Sequence, residues 1–247
     1  MLPKIVPAIL TSDIKDLKTK LEKLNGLSDW VQIDILDGKF INNKTIELKD
    51  LGKIKRVKKF NLEAHLMVEN PEKYFKECQK LKIKRVIFHQ EASRNLREIL
   101  SESEKFKFKT GIALNPRTPI TKIKPYLNQI DLVLLMGVNP GFQGQKFIPS
   151  VLNKIKNLKK MASEKRKVRL GRTLYENAHT NINPVRNSEG SQRKISNGVK
   201  IEIDGGVNIS NIKKVVEAGA DYLVIGSSLF KNDNVRENLR QLKKAYE

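Results

Sequence analysis

Residues 201–206 read Ile201-Glu202-Ile203-Asp204-Gly205-Gly206, a short apolar run that ends in a carboxylate and two glycines. A carboxylate that follows a strand and precedes a flexible turn belongs at the rim of a sheet rather than in its core. The chain repeats this arrangement upstream in Val31-Gln32-Ile33-Asp34. Two acids that two strands deliver to one cavity could move a proton between opposite faces of a small molecule. Whether Asp34 and Asp204 share a cavity depends on how the strands of the chain are arranged.

Short apolar runs of this kind recur along the whole chain, with room for a helix between successive runs. Most are continuously apolar rather than alternating, which is typical of strands covered on both faces. The runs are Ile5–Leu10, Trp30–Asp34, Leu62–Met67, Arg85–His89, Thr110–Leu114, Leu132–Met136, Lys200–Asp204 and Tyr222–Ile225. The clearest helical pattern lies between the first two runs, where apolar residues recur from Ile14 to Leu24 after a cap at Ser12 or Asp13.

Eight strand–helix units in 247 residues favour an α/β fold, a (β/α)₈ TIM barrel that forms a single domain over residues 1–247. An open doubly wound sheet is the alternative, but no Gly-rich dinucleotide loop follows the first strand. Residues 167–198 break the pattern, because they are rich in Asn, Ser, Arg and Gly and lack apolar periodicity. We predict that they form a polar, basic loop insertion between helix 6 and strand 7, on the face that holds the N-terminal ends of the strands.

The overall charge and the cysteine count limit the function classes. The formal net charge is +21, from 48 Lys and Arg against 27 Asp and Glu. Such a charge could attract nucleic acid, but a solvated Lys-rich surface is the simpler interpretation, and residues 167–198 have no interleaved aromatic side chain beyond Tyr175. One cysteine excludes an internal disulfide and a Cys-based metal cluster. Without a signal peptide or a long apolar segment, we expect a cytoplasmic protein with no membrane contact that could form a homo-oligomer.

Polar side chains gather where three of the predicted strands end. Gln32 and Asp34 are two residues apart on the second strand, so both side chains point to one side of it. The third strand carries His65, and the seventh ends at Asp204. Because the C-terminal strand ends of a barrel share one face, these four side chains could surround one divalent cation. Purely structural roles are the alternative, namely a hydrogen-bonded core histidine and two turn-capping aspartates. His89 also ends a strand, and we expect it at the rim or behind the ligands.

Three successive loops, after the sixth, seventh and eighth strands, contain glycines. Backbone N–H groups that glycine leaves accessible can bind a phosphate, and barrels often bind one near strands seven and eight. The loop residues are Gly141-Phe142-Gln143-Gly144-Gln145, Gly205-Gly206 and Gly226-Ser227-Ser228. Simple tight turns would also use glycine, but three such loops in succession favour a phosphate site.

These residues resemble those of the ribulose-phosphate 3-epimerase family, whose members are (β/α)₈ phosphosugar enzymes. The similarity covers nearly the whole chain except residues 167–198. The matching stretches are Asp34-Ile35-Leu36-Asp37-Gly38, Ala64-His65-Leu66-Met67-Val68, Val138-Asn139-Pro140-Gly141-Phe142, Gly144-Gln145-Lys146-Phe147, Ile203-Asp204-Gly205-Gly206-Val207 and Gly226-Ser227. Together they are specific to this family and its close phosphosugar-epimerase relatives.

The resemblance implies that Asp34 and Asp204 are the catalytic acid–base pair, acting on opposite faces of C3 through an ene-diolate that a divalent cation stabilises. It also implies that Asp34, His65 and Asp204 are ligands of that cation. Met67 and Met136 match positions that pack around the reacting carbons, with ordinary core packing as the alternative. The residues expected to contact the substrate, chiefly its phosphate, are His65, Met67, Met136, Gly141, Phe142, Gln143, Gly144, Gly205, Gly206, Gly226 and Ser227.

Four positions depart from the family's pattern. Gln32 stands where the family has a His ligand, and a carboxamide oxygen is a harder and weaker ligand than an imidazole. Ala8 replaces a substrate-contacting Ser, Gly137 replaces a Ser or Thr, and Gln143 replaces a Gly. We therefore expect a weakened metal site that includes Gln32. The sequence does not distinguish Zn²⁺, Fe²⁺, Mn²⁺ and Co²⁺ as the cation.

The resemblance predicts an isomerase of carbohydrate metabolism that converts D-ribulose 5-phosphate to D-xylulose 5-phosphate in the pentose phosphate pathway. A 3-epimerase of a ketohexose 6-phosphate, such as allulose 6-phosphate, would use the same residues. The departures at Gln32 and Ala8 also indicate an alternative from another functional class, a phosphosugar-binding barrel with reduced or lost turnover. An RNA-associated protein is the last alternative, and it rests on the charge alone.

Overall fold

The computed structural model describes residues 2–92, 95–164 and 198–247. Within them, eight parallel strands close into a barrel in chain order, and β8 pairs with β1. The strands are β1 Lys4–Ile9, β2 Trp30–Leu36, β3 Asn61–Met67, β4 Arg85–His89, β5 Lys109–Leu114, β6 Leu132–Met136, β7 Lys200–Asp204 and β8 Tyr222–Ile225. The predicted (β/α)₈ barrel is confirmed, and the doubly wound sheet is excluded because the sheet is closed.

Helices cover the outside of the barrel. The α-helices are α1 Ile14–Leu24, α2 Leu48–Leu51, α3 Phe75–Lys80, α4 Leu96–Ser103, α5 at residues 151–164, α6 Ile212–Ala218 and α7 Val235–Lys244. The side chain of Asp13 caps α1 by accepting a hydrogen bond of 2.8 Å from the N–H of Lys15. On its inner face α1 buries Leu17, Leu21 and Leu24. This helix therefore begins where the sequence predicted, because the capping side chain and the apolar face agree.

Several connections contain 3₁₀ helices, so the regular alternation expected from the sequence is only approximate. The 3₁₀ segments are Lys55–Lys59, Pro71–Tyr74, Gln90–Ala92, Ile120–Tyr126 and Lys231–Asp233. Between β5 and β6 a 3₁₀ segment with Pro125 inside it takes the place of an α-helix. Proline supplies no N–H and clashes with the preceding turn, which prevents a regular helix there.

The interior of the barrel contains both apolar and polar side chains. An apolar cluster from β4, β5 and β6 fills one side, and it consists of Ile87, Ala113, Leu132, Leu134, Met136 and Val138. The buried polar side chains of β2, β3, β4 and β7 are Gln32, Asp34, Glu63, His65, Arg85, His89 and Glu202. Polar groups of this kind are expensive to bury without partners, so each of them calls for a structural or a functional role.

A charged layer lies across the barrel below the polar strand ends. Arg85 donates hydrogen bonds to Glu63 and, over 2.7 Å, to Glu202. Its guanidinium lies between two aromatic rings, 4.9 Å from the centroid of Trp30 and 4.5 Å from that of Tyr222. Burial raises the pKa of Glu202 well above its ordinary value. The layer joins β3, β4 and β7 by ion pairs that are shielded from water.

The insertion predicted at 167–198 lies almost wholly outside the described residues and stays a prediction. Helix α5 is described to residue 164, and β7 begins at Lys200. Among the described residues, none of the helices is both long and apolar enough to span a bilayer.

Candidate active site

Three strands bring the predicted acid–base pair and the predicted histidine ligand together. Asp34 on β2 pairs in register with His65 on β3. Nδ1 of His65 lies 3.3 Å from Oδ1 of Asp34 and 3.3 Å from Oδ2 of Asp204, which ends β7. All three side chains are largely buried. Asp34 and Asp204 therefore do share one site, at the C-terminal ends of the strands.

Gln32 lies beneath this cluster and links the two aspartates. Its side-chain nitrogen donates hydrogen bonds of 2.8 Å to Oδ1 of Asp34 and of 2.8 Å to Oδ2 of Asp204. The side-chain oxygen of Gln32 is buried and has no hydrogen-bond partner. A buried amide oxygen without a partner is costly. A rotation of the amide by half a turn would direct this oxygen towards the aspartates, where it could meet a cation.

The charges of the cluster shift the pKa values of its members. Burial lowers the pKa of His65, but the hydrogen bonds that its ring donates to Asp204 and Asp34 outweigh this effect and raise the pKa to about 10. Burial and the negative charge of Asp204 raise the pKa of Asp34. Without a cation, this shift favours an imidazolium at His65, whose single positive charge offsets part of the negative charge of the two carboxyl groups.

The turns that follow these strands are organised by other residues. Asp37 accepts hydrogen bonds from the N–H groups of Lys39 at 2.8 Å, Phe40 at 3.1 Å and Glu69 at 3.0 Å. The side chain of Asp34 instead contacts Gln32 and His65. The capping role that the sequence left open for Asp34 belongs to Asp37.

His89 lies behind His65, on the side away from the aspartates. The Nε2 atoms of the two rings are 2.9 Å apart, and Nδ1 of His89 lies 3.4 Å from Oε2 of Glu91. Oε1 of Glu91 accepts hydrogen bonds from the N–H of Asn115, over 2.8 Å, and from the hydroxyl of Thr118. Burial lowers the pKa of His89, which keeps this ring neutral. Of the two positions predicted for His89, the structure gives the one behind the ligands.

A cavity lies above the cluster and is open to solvent. Its walls include every residue that was predicted to contact the substrate. These are His65, Met67, Met136, Gly141, Phe142, Gln143, Gly144, Gly205, Gly206, Gly226 and Ser227. The structure thus brings the three Gly-bearing loops to one mouth, and Gln32 is the one predicted site residue that lies below the cavity rather than in its wall. The roles of the individual residues that line the cavity stay predictions.

Glycine is required where these loops touch one another. Gly206 has a φ of +71°, and a Cβ there would lie 2.9 Å from the backbone of Phe147. Gly137 is equally confined, because a side chain on it would collide with the carbonyl of Gly205. This contact explains why the chain has glycine at 137, where the resemblance led us to expect Ser or Thr. Close packing of this kind holds the backbone N–H groups of the loops in place.

Gln143, which stands where the family has glycine in the loop after β6, extends across the opening of the cavity. Its side-chain nitrogen donates a hydrogen bond of 2.9 Å to the carbonyl of Leu10, in the loop after β1. Gln145 fastens the same loop internally through the carbonyls of Asn139, at 2.7 Å, and Phe142, at 2.9 Å. Asn139 and Leu10 also line the cavity, and we did not predict them, because neither carries a charge or lies in a glycine pair.

The donor set fits a divalent cation. Asp34, His65 and Asp204 each offer one ligand atom, and these atoms lie within 4.8 Å of one another. Two carboxylate oxygens and one imidazole nitrogen suit Zn²⁺, Fe²⁺, Mn²⁺ or Co²⁺. Gln32 could complete the set only with its amide reversed, because its nitrogen now faces the aspartates.

Comparison with known proteins identifies relatives along the whole chain. A model of the ribulose-phosphate 3 epimerase family matches residues 4–171 and 169–230. The chain is 34% identical over 241 residues to ribulose-phosphate 3-epimerase from Bacillus subtilis (strain 168), covering 97% of this chain and 98% of that protein. It is 33% identical over 243 residues to the chloroplastic ribulose-5-phosphate-3-epimerase of Arabidopsis thaliana, covering 97% of this chain and 75% of that protein.

Solved structures with the same architecture are more distant in sequence. A mutant tryptophan synthase α-subunit from Pyrococcus furiosus superposes with a TM-score of 0.66 at 13% identity, covering 99% of this chain and all of that one. The 3-hexulose-6-phosphate synthase of Salmonella typhimurium superposes with a TM-score of 0.63 at 13% identity, covering 98% of each chain. At such identities the likeness supports the fold alone.

Proposed function

Because the chain belongs to the ribulose-phosphate 3-epimerase family and is an isomerase, we propose that it interconverts D-ribulose 5-phosphate and D-xylulose 5-phosphate by moving the proton at C3. The observation that carries this proposal is that Asp34 and Asp204, from β2 and β7, both lie 3.3 Å from one ring nitrogen of His65 at the base of the cavity. Two carboxylates in this arrangement can reach a bound ketose from two directions.

In the proposed reaction the aspartates act as base and acid in turn. One aspartate removes the C3 proton, and the other returns a proton to the opposite face, so the configuration at C3 is inverted. For D-xylulose 5-phosphate the two residues exchange roles. The raised pKa of Asp34 suits such an exchange, because a carboxyl group of ordinary acidity holds a proton poorly at neutral pH.

Asp34, His65 and Asp204 would hold the cation, with Gln32 as a fourth ligand after rotation of its amide. When bound, a divalent cation supplies positive charge next to the oxygens of the ene-diolate. Without a cation, Gln32 and His65 hold the two carboxyl groups through the contacts described above. Met67 and Met136 line the cavity beside the cluster and would exclude water from the reacting carbons.

The phosphate of the substrate would lie among the loops after β6, β7 and β8. Gly205 and Gly206 have positive φ values of 101° and 71°, conformations in which successive N–H groups can converge on an anion. Gly226 and Ser227 border the same cavity. A ketohexose 6-phosphate, such as allulose 6-phosphate, is the second candidate substrate, since it presents the same C3 centre and a terminal phosphate. The cytoplasmic location predicted from the sequence also stays a prediction.

The test is exchange of the C3 proton of D-ribulose 5-phosphate with D₂O, followed by NMR. Wild-type protein should exchange the proton and form D-xylulose 5-phosphate, and Asp34→Asn and Asp204→Asn should each lose roughly 10²- to 10⁴-fold in rate. Asp29→Asn makes the same chemical change at an exposed residue beside the start of β2 and should keep full activity. Tight binding of the sugar phosphate without exchange in the wild type would instead identify a phosphosugar-binding barrel without turnover.

A further inference from the structure

The main chain of Asp34 lies beyond the point where β1 supports β2. Ile9, the last residue of β1, pairs with Ile33, so Asp34 and Leu36 extend past the end of the neighbouring strand. Both residues are buried. A buried C=O or N–H group without a partner is costly, so the main-chain groups on this edge of β2 need partners from outside β1.

Thr45 supplies those partners from the loop that follows β2. Its hydroxyl accepts a hydrogen bond of 2.9 Å from the N–H of Leu36 and donates one of 2.9 Å to the carbonyl of Asp34. A hydroxyl has a single hydrogen, and the carbonyl of Ile46 is farther from it, at 3.4 Å. The N–H of Thr45 also donates to the carbonyl of Leu36, over 3.3 Å. Thr45 therefore takes the place that a longer β1 would occupy beside β2.

The segment that carries Thr45 is itself fixed. The N–H of Ile46 donates a hydrogen bond of 3.1 Å to the carbonyl of Thr11, in the loop after β1. The side chain of Asn43 donates one of 2.6 Å to the carbonyl of Gly141, in the loop after β6. Thr45 and Ile46 are both buried. Because little water can compete for its partners, the hydroxyl of Thr45 keeps its hydrogen bonds to β2.

The two aspartates of the proposed acid–base pair differ in how their main chain is held. The carbonyl of Asp204 accepts a hydrogen bond of 2.6 Å from the N–H of Gly137, which directly follows β6. Such a main-chain donor stays in place whatever side chain its residue carries, proline excepted. The carbonyl of Asp34 depends instead on the hydroxyl of a side chain. One substitution at residue 45 can therefore release the main chain of Asp34 and leave that of Asp204 as it is.

We propose that Thr45 is a positioning residue that holds Asp34 where its carboxylate can reach C3 of the substrate. This inference rests on the proposed function, because it assigns to Thr45 a part in the proton transfer at C3. Thr45 lies outside the wall of the cavity and acts through the main chain of Asp34 rather than on the sugar phosphate. Its loss should therefore slow the proton transfer and leave substrate binding nearly unchanged.

Two substitutions of Thr45 separate the role of its hydroxyl from that of its size. Thr45→Val removes the hydroxyl and nearly keeps the shape of the side chain, whereas Thr45→Ser keeps the hydroxyl and removes the methyl group. In the C3 exchange assay, kcat of Thr45→Val should fall roughly 10- to 100-fold with little change in KM. Thr45→Ser should recover most of the rate. A role in packing alone would give the opposite order of the two variants.

Thr110→Val is the matched control. Thr110 is a second buried threonine, and its hydroxyl donates a hydrogen bond of 3.2 Å to the hydroxyl of Ser103. It lies near the start of β5, at the opposite end of the barrel from the aspartates. Both valine variants should lose stability in urea, but only Thr45→Val should lose rate where both are folded. An equal loss of kcat in the two variants would overturn the proposal, as would a Thr45→Ser protein as slow as Thr45→Val.

Two further measurements need no substrate. In the wild type, hydrogen exchange followed by NMR should show the N–H of Leu36 protected to a degree similar to the amides within β3, and rapid exchange there would overturn the proposal without any variant. Because Asp34 is a proposed ligand, the Zn²⁺ affinity of Thr45→Val should fall roughly tenfold in chelator competition. Wild-type Zn²⁺ affinity together with wild-type kcat in this variant would also overturn it. A wild type without C3 exchange would instead contradict the proposed function, and these two measurements would still test Thr45.

Discussion

Gln32 donates a hydrogen bond of 2.8 Å to Asp204, although the two residues are 172 positions apart in the chain. Through the same nitrogen Gln32 also binds Asp34, so a single amide spans the proposed acid–base pair. An N–H donor between two carboxylates performs part of the work of a cation, because it offsets their mutual repulsion. The strength of the cation site therefore depends on a residue that can either bridge the aspartates or, with its amide reversed, join the ligands.

Gln32→His should strengthen cation binding. A neutral imidazole is a better ligand for Zn²⁺ than a carboxamide oxygen, and it would remove the cost of reversing the amide. We expect Zn²⁺ affinity to rise roughly tenfold or more, as measured by competition with a coloured chelator. Gln32→Leu, which supplies no ligand, serves as the control and should not bind more tightly than the wild type. An affinity of Gln32→His equal to that of the wild type would place residue 32 outside the ligand set.

Cation affinity should increase with pH. Because the aspartates raise the pKa of His65 to about 10, its ring is protonated throughout the range from about pH 6 to about pH 8. A cation must displace the Nδ1 proton, so binding releases at least one proton. The affinity for Co²⁺, followed by absorbance, should rise about tenfold per pH unit over this range. In His65→Gln the dependence should be flatter, and a pH-independent affinity in the wild type would contradict the proposed competition.

Gly206→Ala should cost more stability than Gly144→Ala. Both glycines have similar positive φ values, +71° and +75°, so the backbone strain of an added Cβ is alike, about 1–2 kcal/mol. A Cβ on Gly144 meets nothing within 4 Å, whereas one on Gly206 lies 2.9 Å from the backbone of Phe147. Urea unfolding without substrate should therefore show Gly206→Ala less stable by more than about 1 kcal/mol relative to Gly144→Ala. Equal losses of stability in the two variants would mean that the loop of Gly206 can move away from Phe147 at little cost.

Arg85→Met should destabilise the barrel strongly. The substitution leaves Glu63 and Glu202 facing each other in the interior without a cation, and breaking one side of a buried ion pair costs about 3–5 kcal/mol. Denaturant unfolding measures the loss. Arg240→Met is the matched control, because Arg240 also pairs with a glutamate, Glu237, but on the exposed face of α7. Little change is expected there, and a similar loss in both variants would contradict the role assigned to burial.

The strands could be predicted closely because each is an apolar run of fixed length between polar segments. Leu132–Met136, Lys200–Asp204 and Tyr222–Ile225 agree with the sequence prediction at both ends. The Asp–His–Asp cluster could be predicted as well, because a barrel places all C-terminal strand ends on one face. The connection between β5 and β6 could not, since Pro125 leaves only a 3₁₀ helix where an α-helix was expected.

Residues whose roles depend on distant partners were not predictable from one sequence. Arg85 is a visible charge in an apolar run, but its partners Glu63 and Glu202 are 22 and 117 positions away. Glu91 follows His89 closely, yet its orientation depends on Asn115 and Thr118 in the next loop. The sequence of a strand shows that a polar residue within it is unusual. Which side chains that residue contacts depends on the register of the closed sheet.

The charged layer around Arg85 also closes one end of the barrel. Within the described residues, Glu63 and Glu202 are fully buried and Arg85 lies between two aromatic rings, so this end of the barrel is closed below the aspartates. Substrate and product must then use the same opening, and each blocks the entry of the other. In the proposed reaction, occupancy by product would therefore slow the forward direction, and the net flux would follow the ratio of the two proposed sugar phosphates around the protein.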